Sequence, residues 1–140
     1  MKNLLKKIIC TQAGIGVSLT RIVIGIIFFK AGSGKLFGWF GGYGIQAVSQ
    51  FFTDLKIPYP LFNAYLVGCS EFLCGIGLVV GLLTRLAVIP LSITMIVAIF
   101  TAHKEGDFYY PLVILTTCIT LFETGGGLIS FDRLIVRSKT

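Results

Sequence analysis

The stretch Leu61–Leu83, LFNAYLVGCSEFLCGIGLVVGLL, decides the fold of this chain. Its length is about the 20 residues that an α-helix needs to cross a bilayer. One acid, Glu71, lies near its middle, with Gly68 and Gly75 at helical spacing on the same side. A charged side chain at the centre of a bilayer costs about 3 kcal/mol on insertion scales. The stretch therefore predicts a membrane-spanning helix whose acid faces protein or water rather than lipid.

The composition indicates that the bilayer is the solvent of this protein. Of its 140 residues, 55% are hydrophobic and only 13% are charged, and the mean hydropathy is +0.90. A soluble domain of this length could not bury so much apolar surface in one core. The net charge of +6 comes from cations that flank apolar runs, where they determine topology and meet anionic lipids. Nucleic acid is therefore not an expected partner.

Four apolar stretches predict an all-α integral membrane four-helix bundle in a single domain, residues 1–140. The predicted spans are residues 14–37, 61–83, 86–102 and 111–129. The short connection Gly81–Arg85 makes the second and third spans antiparallel neighbours. Two amphipathic stretches, Met1–Gln12 and Ile45–Leu55, predict short helices that lie on the membrane surface.

The distribution of cations predicts the orientation of the four spans. One side of the membrane would carry Lys2, Lys6, Lys7, Arg85, Arg133, Arg137 and Lys139. The other side would carry only Lys56 and Lys104, with Lys35 at its edge. Because cytoplasmic loops carry the excess of lysine and arginine, both termini are predicted to be cytoplasmic.

Four charged residues fall within the predicted spans and sum to zero: Arg21, Lys30, Glu71 and Glu123. A helical rise of 1.5 Å per residue places both Arg21 and Glu123 about 10 Å from the cytoplasmic side. We therefore predict that these two form an ion pair. Glu71, near the midplane, would be reached by Arg21 or by Lys30.

The first predicted span carries a stripe of residues at alternating steps of four and three: Arg21, Gly25, Phe28, Gly32 and Lys35. The glycines allow the backbone of another helix to approach closely. Lys30 lies about 180° around the helix from Arg21, so the two cations are predicted to face different surfaces unless Gly32 or Gly34 bends the helix.

Two interpretations of the intramembrane charges remain open. The charges either form structural ion pairs that fix helix register, or they line a polar site for a quinone-like head group, a proton or a small anion. In the second interpretation the cofactor-binding residues are Arg21, Lys30, Glu71 and Glu123. Arg21 would hold an oxyanion or carbonyl, and Glu71 would exchange a proton.

The remaining reactive side chains do not indicate a known type of catalytic or metal site. The single histidine, His103, has no nearby cysteine or paired acid, so no metal site is predicted. The four cysteines, which are Cys10, Cys69, Cys74 and Cys118, form no CxxC pair and are interpreted as small apolar fillers. No serine has a histidine base nearby in the sequence, so the pattern identifies no catalytic residue.

Arg21 and four sequence segments that follow it along the chain resemble those of a known protein family. Arg21 is followed by FFKAGSGKLFG (Phe28–Gly38), LKIPYP (Leu55–Pro60), SEFLCGIGLVVGLLTRLA (Ser70–Ala87) and GGLISFD (Gly126–Asp132). The sequence thus resembles the DoxX family of small bacterial membrane proteins. The resemblance implies four helices in the cytoplasmic (inner) membrane. It also implies a link to membrane oxidoreductase assemblies, which in this family include a thiosulfate:quinone oxidoreductase and complexes that handle thiol stress.

Three functional hypotheses follow from the residues and the resemblance. The first is a membrane subunit of a quinone-linked or thiol-stress redox complex, itself non-catalytic, which works with a redox partner protein. The second is a small proton-coupled transporter, since a membrane-embedded carboxylate can carry a proton. The third is a structural or assembly protein without a ligand. A second copy of the chain is a further candidate partner.

Overall fold

The chain forms a helical protein whose elements follow the predicted spans. The computed structural model describes residues 14–102, 106–132 and 134, and every regular element in these ranges is helical. The helices are α1 (Ile15–Phe37), α2 (Gly44–Asp54), α3 (Pro60–Val80), α4 (Thr84–Phe100) and α5 (Tyr109–Thr124), with one 3-10 turn at Trp39–Gly41. The all-α class is confirmed. The predicted surface helix Met1–Gln12 lies outside the described residues.

Two of these helices are long and apolar enough to cross a bilayer. Helix α1 has 23 residues and α3 has 21. Helices α4 and α5 are equally apolar in character but have 17 and 16 residues, a length of about 25 Å. Large apolar side chains point outward along all four helices, including Leu19, Val23, Leu73, Ile93 and Val113. A surface of this kind is typical of a protein embedded in lipid.

Helices α1 and α3 run antiparallel and touch through their glycines. A Cβ added to Gly75 would lie 2.5 Å from the backbone nitrogen of Phe29, and one added to Gly25 would lie 2.7 Å from that of Val79. A Cβ on Gly32 would overlap the backbone nitrogen of Phe72. Only glycine allows two helix backbones to come this close. The glycine stripes predicted from the sequence therefore meet each other.

The apolar core lies between this glycine seam and helices α4 and α5. Its most buried members are Phe28, Leu78, Val88, Leu91 and Leu121. These side chains come from four helices, so the core joins the pair α1–α3 to the pair α4–α5. Helix α2 packs across α3 at one end of the assembly.

Helix α5 ends five residues earlier than the predicted fourth span. Gly125 and Gly127 both have a φ of 75°, a conformation that ordinary side chains rarely adopt. The chain therefore leaves the helix after Thr124 and folds back toward the turn between α3 and α4. The backbone nitrogen of Asp132 donates to the carbonyl oxygen of Gly81 at 3.0 Å. This returning segment changes the partners of the predicted charged residues.

Candidate functional site

Glu71 forms a salt bridge with Lys35. The Lys35 Nζ donates a hydrogen bond to Glu71 Oε2, and the pair is the only salt bridge among the residues that the structure describes. Glu71 is almost wholly buried, with 2% of its side chain exposed, whereas Lys35 is 28% exposed. The prediction that Arg21 or Lys30 reaches Glu71 is therefore wrong.

The glycine seam explains why Lys35 is the partner of Glu71. Because Gly32 has no side chain, α1 packs directly against the backbone of Glu71 and Phe72. Lys35 lies three residues beyond Gly32 on the same helical face. Side chains in an α-helix tilt toward its N-terminus, so the lysine reaches back to the level of Gly32. Lys35 was part of the predicted stripe, but its position near the end of the span indicated a surface cation.

The salt bridge forms part of the wall of a cavity of about 640 Å³. The cavity lies between α1, α3, α4 and α5, and residues of α2 and of the segment after it cover one side. Most of its lining is apolar and includes Phe28, Leu66, Ile93, Met95 and Ile114. Its size falls within the range of about 300–1,000 Å³ that is usual for small-molecule sites.

The lining of this apolar cavity also contains polar groups. Besides the salt bridge, Ser70 and Thr94 contribute hydroxyl groups to the lining. The Thr94 hydroxyl donates to the carbonyl oxygen of Pro90 at 3.0 Å. Within the described ranges, neither the Ser70 hydroxyl nor Glu71 Oε1 has a hydrogen-bond partner. The cavity thus offers an ammonium donor, a hydroxyl and a free carboxylate oxygen to a molecule with a polar head and an apolar body.

Lys30 lies in a second, more open cavity, which we call the Lys30 groove. The groove has a volume of about 930 Å³ and is lined by α1, the 3-10 turn and α2, with Trp39, Phe40 and Tyr43 among its residues. Lys35 lines both the groove and the cavity beside Glu71. Lys30 is thus close to the candidate site without lining its cavity.

Arg21 lies in a different cluster. Its side chain is 1% exposed, and Nη2 donates to the carbonyl oxygen of Ile129 at 2.6 Å. Nη1 lies against Gly81, where a Cβ would overlap it. Asp132 is close enough to act on the guanidinium electrostatically. We call these four residues the Arg21 cluster.

Glu123 does not pair with Arg21, and this prediction was wrong. The Glu123 side chain is exposed on α5, and its backbone carbonyl accepts from Arg85 Nη2 at 3.2 Å. Counting residues along a straight helix placed Glu123 at the depth of Arg21. The chain instead leaves α5 after Thr124 and brings Ile129 and Asp132 to the arginine.

Asp132 is a structural residue that the sequence pattern did not indicate. Its carboxylate accepts hydrogen bonds from the backbone nitrogens of Leu83, at 2.7 Å, and Thr84, at 3.0 Å. It therefore caps the N-terminus of α4, where an acid also interacts favourably with the helix dipole. The same carboxylate interacts favourably with the buried charge of Arg21 without forming a direct salt bridge to it. The Arg21 cluster thus fastens the C-terminal segment to α1 and to the α3–α4 turn.

We expect Asp132→Ala to lower the free energy of unfolding by about 3 kcal/mol, because it removes a helix cap and leaves Arg21 without a nearby counter-charge. Unfolding of the purified protein in detergent, followed by circular dichroism, measures this loss. The control is Asp54→Ala, which removes an exposed acid that accepts a hydrogen bond from Gln50. It should change stability by less than about 0.5 kcal/mol. Equal losses in the two variants would contradict the role assigned to Asp132.

Comparison with known proteins identifies the family. The sequence pattern of the DoxX family matches residues 16–104. A Bacillus subtilis (strain 168) protein named "Putative oxidoreductase CatD" is 30% identical over 89% of this chain and 90% of its own length. A Mycobacterium tuberculosis protein, "Uncharacterized membrane protein Rv3486", is 37% identical over 86% and 81%. The Escherichia coli (strain K12) "Inner membrane protein YqjF" is 33% identical over 86% and 92%. No solved structure gives a significant match. This chain is a membrane protein and belongs to the DoxX family.

Proposed function

We propose that this protein is the quinone-binding membrane subunit of a redox complex and that the Lys35–Glu71 pair holds the quinone head. The observation that carries this proposal is a buried salt bridge in the wall of an apolar cavity of about 640 Å³. An ion pair buried only for stability is usually no better than apolar packing. A buried ion pair that also lines a cavity can bind a polar ligand, and ligand binding would explain why both residues are charged.

The groups at the cavity wall match both oxidation states of a quinone. A quinone carbonyl accepts hydrogen bonds, and Lys35 Nζ and the Ser70 hydroxyl are donors in the cavity lining. A quinol hydroxyl donates, and the free Oε1 of Glu71 is the acceptor available to it. The apolar body would lie against Leu66 and Ile93. Glu71 would also be the group that exchanges a proton with the bound head.

The link to redox chemistry rests on the family. One relative, from Bacillus subtilis, carries the name "Putative oxidoreductase CatD", and others are named only as membrane proteins. We therefore assign electron transfer to a partner protein and quinone binding to this chain.

The proposed topology places α1, α3, α4 and α5 across the cytoplasmic membrane with both termini inside. The exposed Arg85 in the α3–α4 turn would then be cytoplasmic, in agreement with the excess of cations near both termini. Trp39 and Tyr43 would lie at the outer interface, a usual position for such aromatic residues. The short helices α4 and α5 would be accommodated by local thinning of the bilayer.

Binding of a soluble quinone analogue to the purified protein tests this proposal. We expect Glu71→Gln and Lys35→Met each to weaken binding at least tenfold, since each removes one of the polar groups at the head. Thr94→Trp should also abolish binding, because the indole would fill the cavity while leaving both charges in place. Tryptophan fluorescence or isothermal calorimetry measures these affinities.

Two variants outside the cavity provide matched controls. Arg85→Gln removes an exposed cation, and Ile119→Trp adds an indole on a lipid-facing surface of α5. Both should bind the analogue like the wild type. Weak and indistinguishable binding by the wild type and all the variants would exclude a quinone site. Flux of a solute that depends on Glu71 in proteoliposomes would instead favour a transporter.

A further inference from the structure

We propose that the Lys30 groove binds the phosphate head group of an anionic phospholipid. Lys30 lies in the membrane-spanning helix α1, and its side chain is exposed. It forms no ion pair or hydrogen bond with any residue that the structure describes. A cation at such a position needs water or an opposite charge, because leaving it in hydrocarbon costs several kcal/mol.

The groove carries one uncompensated positive charge. Its lining includes Lys30 and Lys35 but no acidic residue, and Lys35 is bound to Glu71. Three other acids in the described ranges are held elsewhere. Asp54 accepts from Gln50, Asp107 accepts from the backbone nitrogen of Tyr109, and Asp132 caps α4. Glu123 is exposed at the end of α5 that lies near Arg85. No acid in the described part of the chain pairs with Lys30, so water or a charge from outside these residues must balance it.

Lys30 lies below the level of the lipid head groups, at a depth from which a lysine side chain extends toward them. Lys30 precedes the end of α1 at Phe37 by seven residues, which is about 10 Å along the helix. A lysine side chain at this depth extends its ammonium group toward the head-group region. Trp39 and Tyr43 line the same groove and are the residue types found at this interface. The groove thus extends from the acyl-chain region to the head groups.

A fixed backbone turn holds the aromatic wall beside Lys30. Gly38 and Gly41 have φ values of 71° and 77°, which allow the chain to reverse direction directly after α1. Gly42 packs so closely on Gly34 that a Cβ there would overlap the Gly34 backbone. The groove is therefore a formed surface with one uncompensated charge and apolar walls. An anionic phospholipid satisfies both features, since its phosphate meets Lys30 and an acyl chain covers Ile27 and Phe40.

Lipid binding to the purified protein tests this proposal. Native mass spectrometry counts the lipids retained from detergent micelles that contain phosphatidylglycerol or phosphatidylcholine. We expect the wild type to retain phosphatidylglycerol preferentially and Lys30→Gln to bind it at least fivefold more weakly. Lys30→Arg should retain wild-type binding because it keeps the charge. Lys56→Gln is the matched control, since it removes an exposed lysine outside the groove.

Each remaining outcome would overturn the proposal. Equal retention of phosphatidylglycerol by the wild type and Lys30→Gln would show that the groove lysine is not the recognising group. An equal loss in Lys56→Gln would show that any surface cation has the same effect. Displacement of the lipid by millimolar inorganic phosphate would show that the groove binds an anion without recognising the acyl chains.

Discussion

Replacing Gly75 with valine is expected to destabilise the protein by about 3 kcal/mol or more. The added Cβ would lie 2.5 Å from the backbone nitrogen of Phe29 and 2.9 Å from the carbonyl oxygen of Gly25. Both are backbone atoms of α1, so no side-chain rotation relieves the overlap. Helices α1 and α3 must therefore separate along the whole glycine seam. The separation would also pull Glu71 away from Lys35.

Gly16→Val provides the matched control for this substitution. It makes the same change in α1, at a glycine whose added Cβ would meet no heavy atom within 4 Å. Because valine has a slightly better helix propensity than glycine, we expect a change of a few tenths of a kcal/mol. Chemical unfolding in detergent, followed by circular dichroism, compares the two variants. If Gly75→Val were as stable as Gly16→Val, the seam could not be the close contact that organises α1 and α3.

The glycine seam shows which features of this fold could be predicted from sequence. Glycines at helical spacing in two apolar helices predicted a close backbone contact, and Gly25, Gly32 and Gly75 form it. The amphipathic pattern of Ile45–Leu55 predicted a helix, and α2 occupies Gly44–Asp54. Both predictions rest on periodicity within one helix. Such periodicity survives in any tertiary arrangement that buries the same face.

The partners of the charged residues could not be predicted in the same way. The depth of a residue along a straight helix takes no account of the length and direction of its side chain. Lys35 lies near the end of its span, so its depth indicated a surface cation rather than the partner of Glu71. The pairing of Arg21 depended on the chain path after Thr124, which the positive φ values of Gly125 and Gly127 determine. The run of three glycines at residues 125–127 favours a helix end there. It did not indicate that Ile129 and Asp132 would return to the α3–α4 turn.

A second large loss of stability is expected when only one residue of the Lys35–Glu71 pair is replaced. Lys35→Met leaves Glu71 in a site where only 2% of its side chain is exposed, and we expect a loss of about 3 kcal/mol. Glu71→Gln leaves Lys35, which is 28% exposed and can extend toward the head groups. We therefore expect this loss to be smaller, about 1 kcal/mol. The asymmetry follows from the difference in burial between the two partners.

The double variant Lys35→Met/Glu71→Met separates stability from ligand binding. Because it removes both charges and keeps similar side-chain volumes, we expect it to be at least as stable as the wild type. It should nevertheless fail to bind the quinone analogue, since both charged groups at the cavity wall are gone. The exposed pair Gln50 and Asp54, replaced by alanine singly and together, should show a coupling below about 0.5 kcal/mol. If the stable double variant bound the analogue like the wild type, the Lys35–Glu71 pair would serve only the packing of α1 against α3.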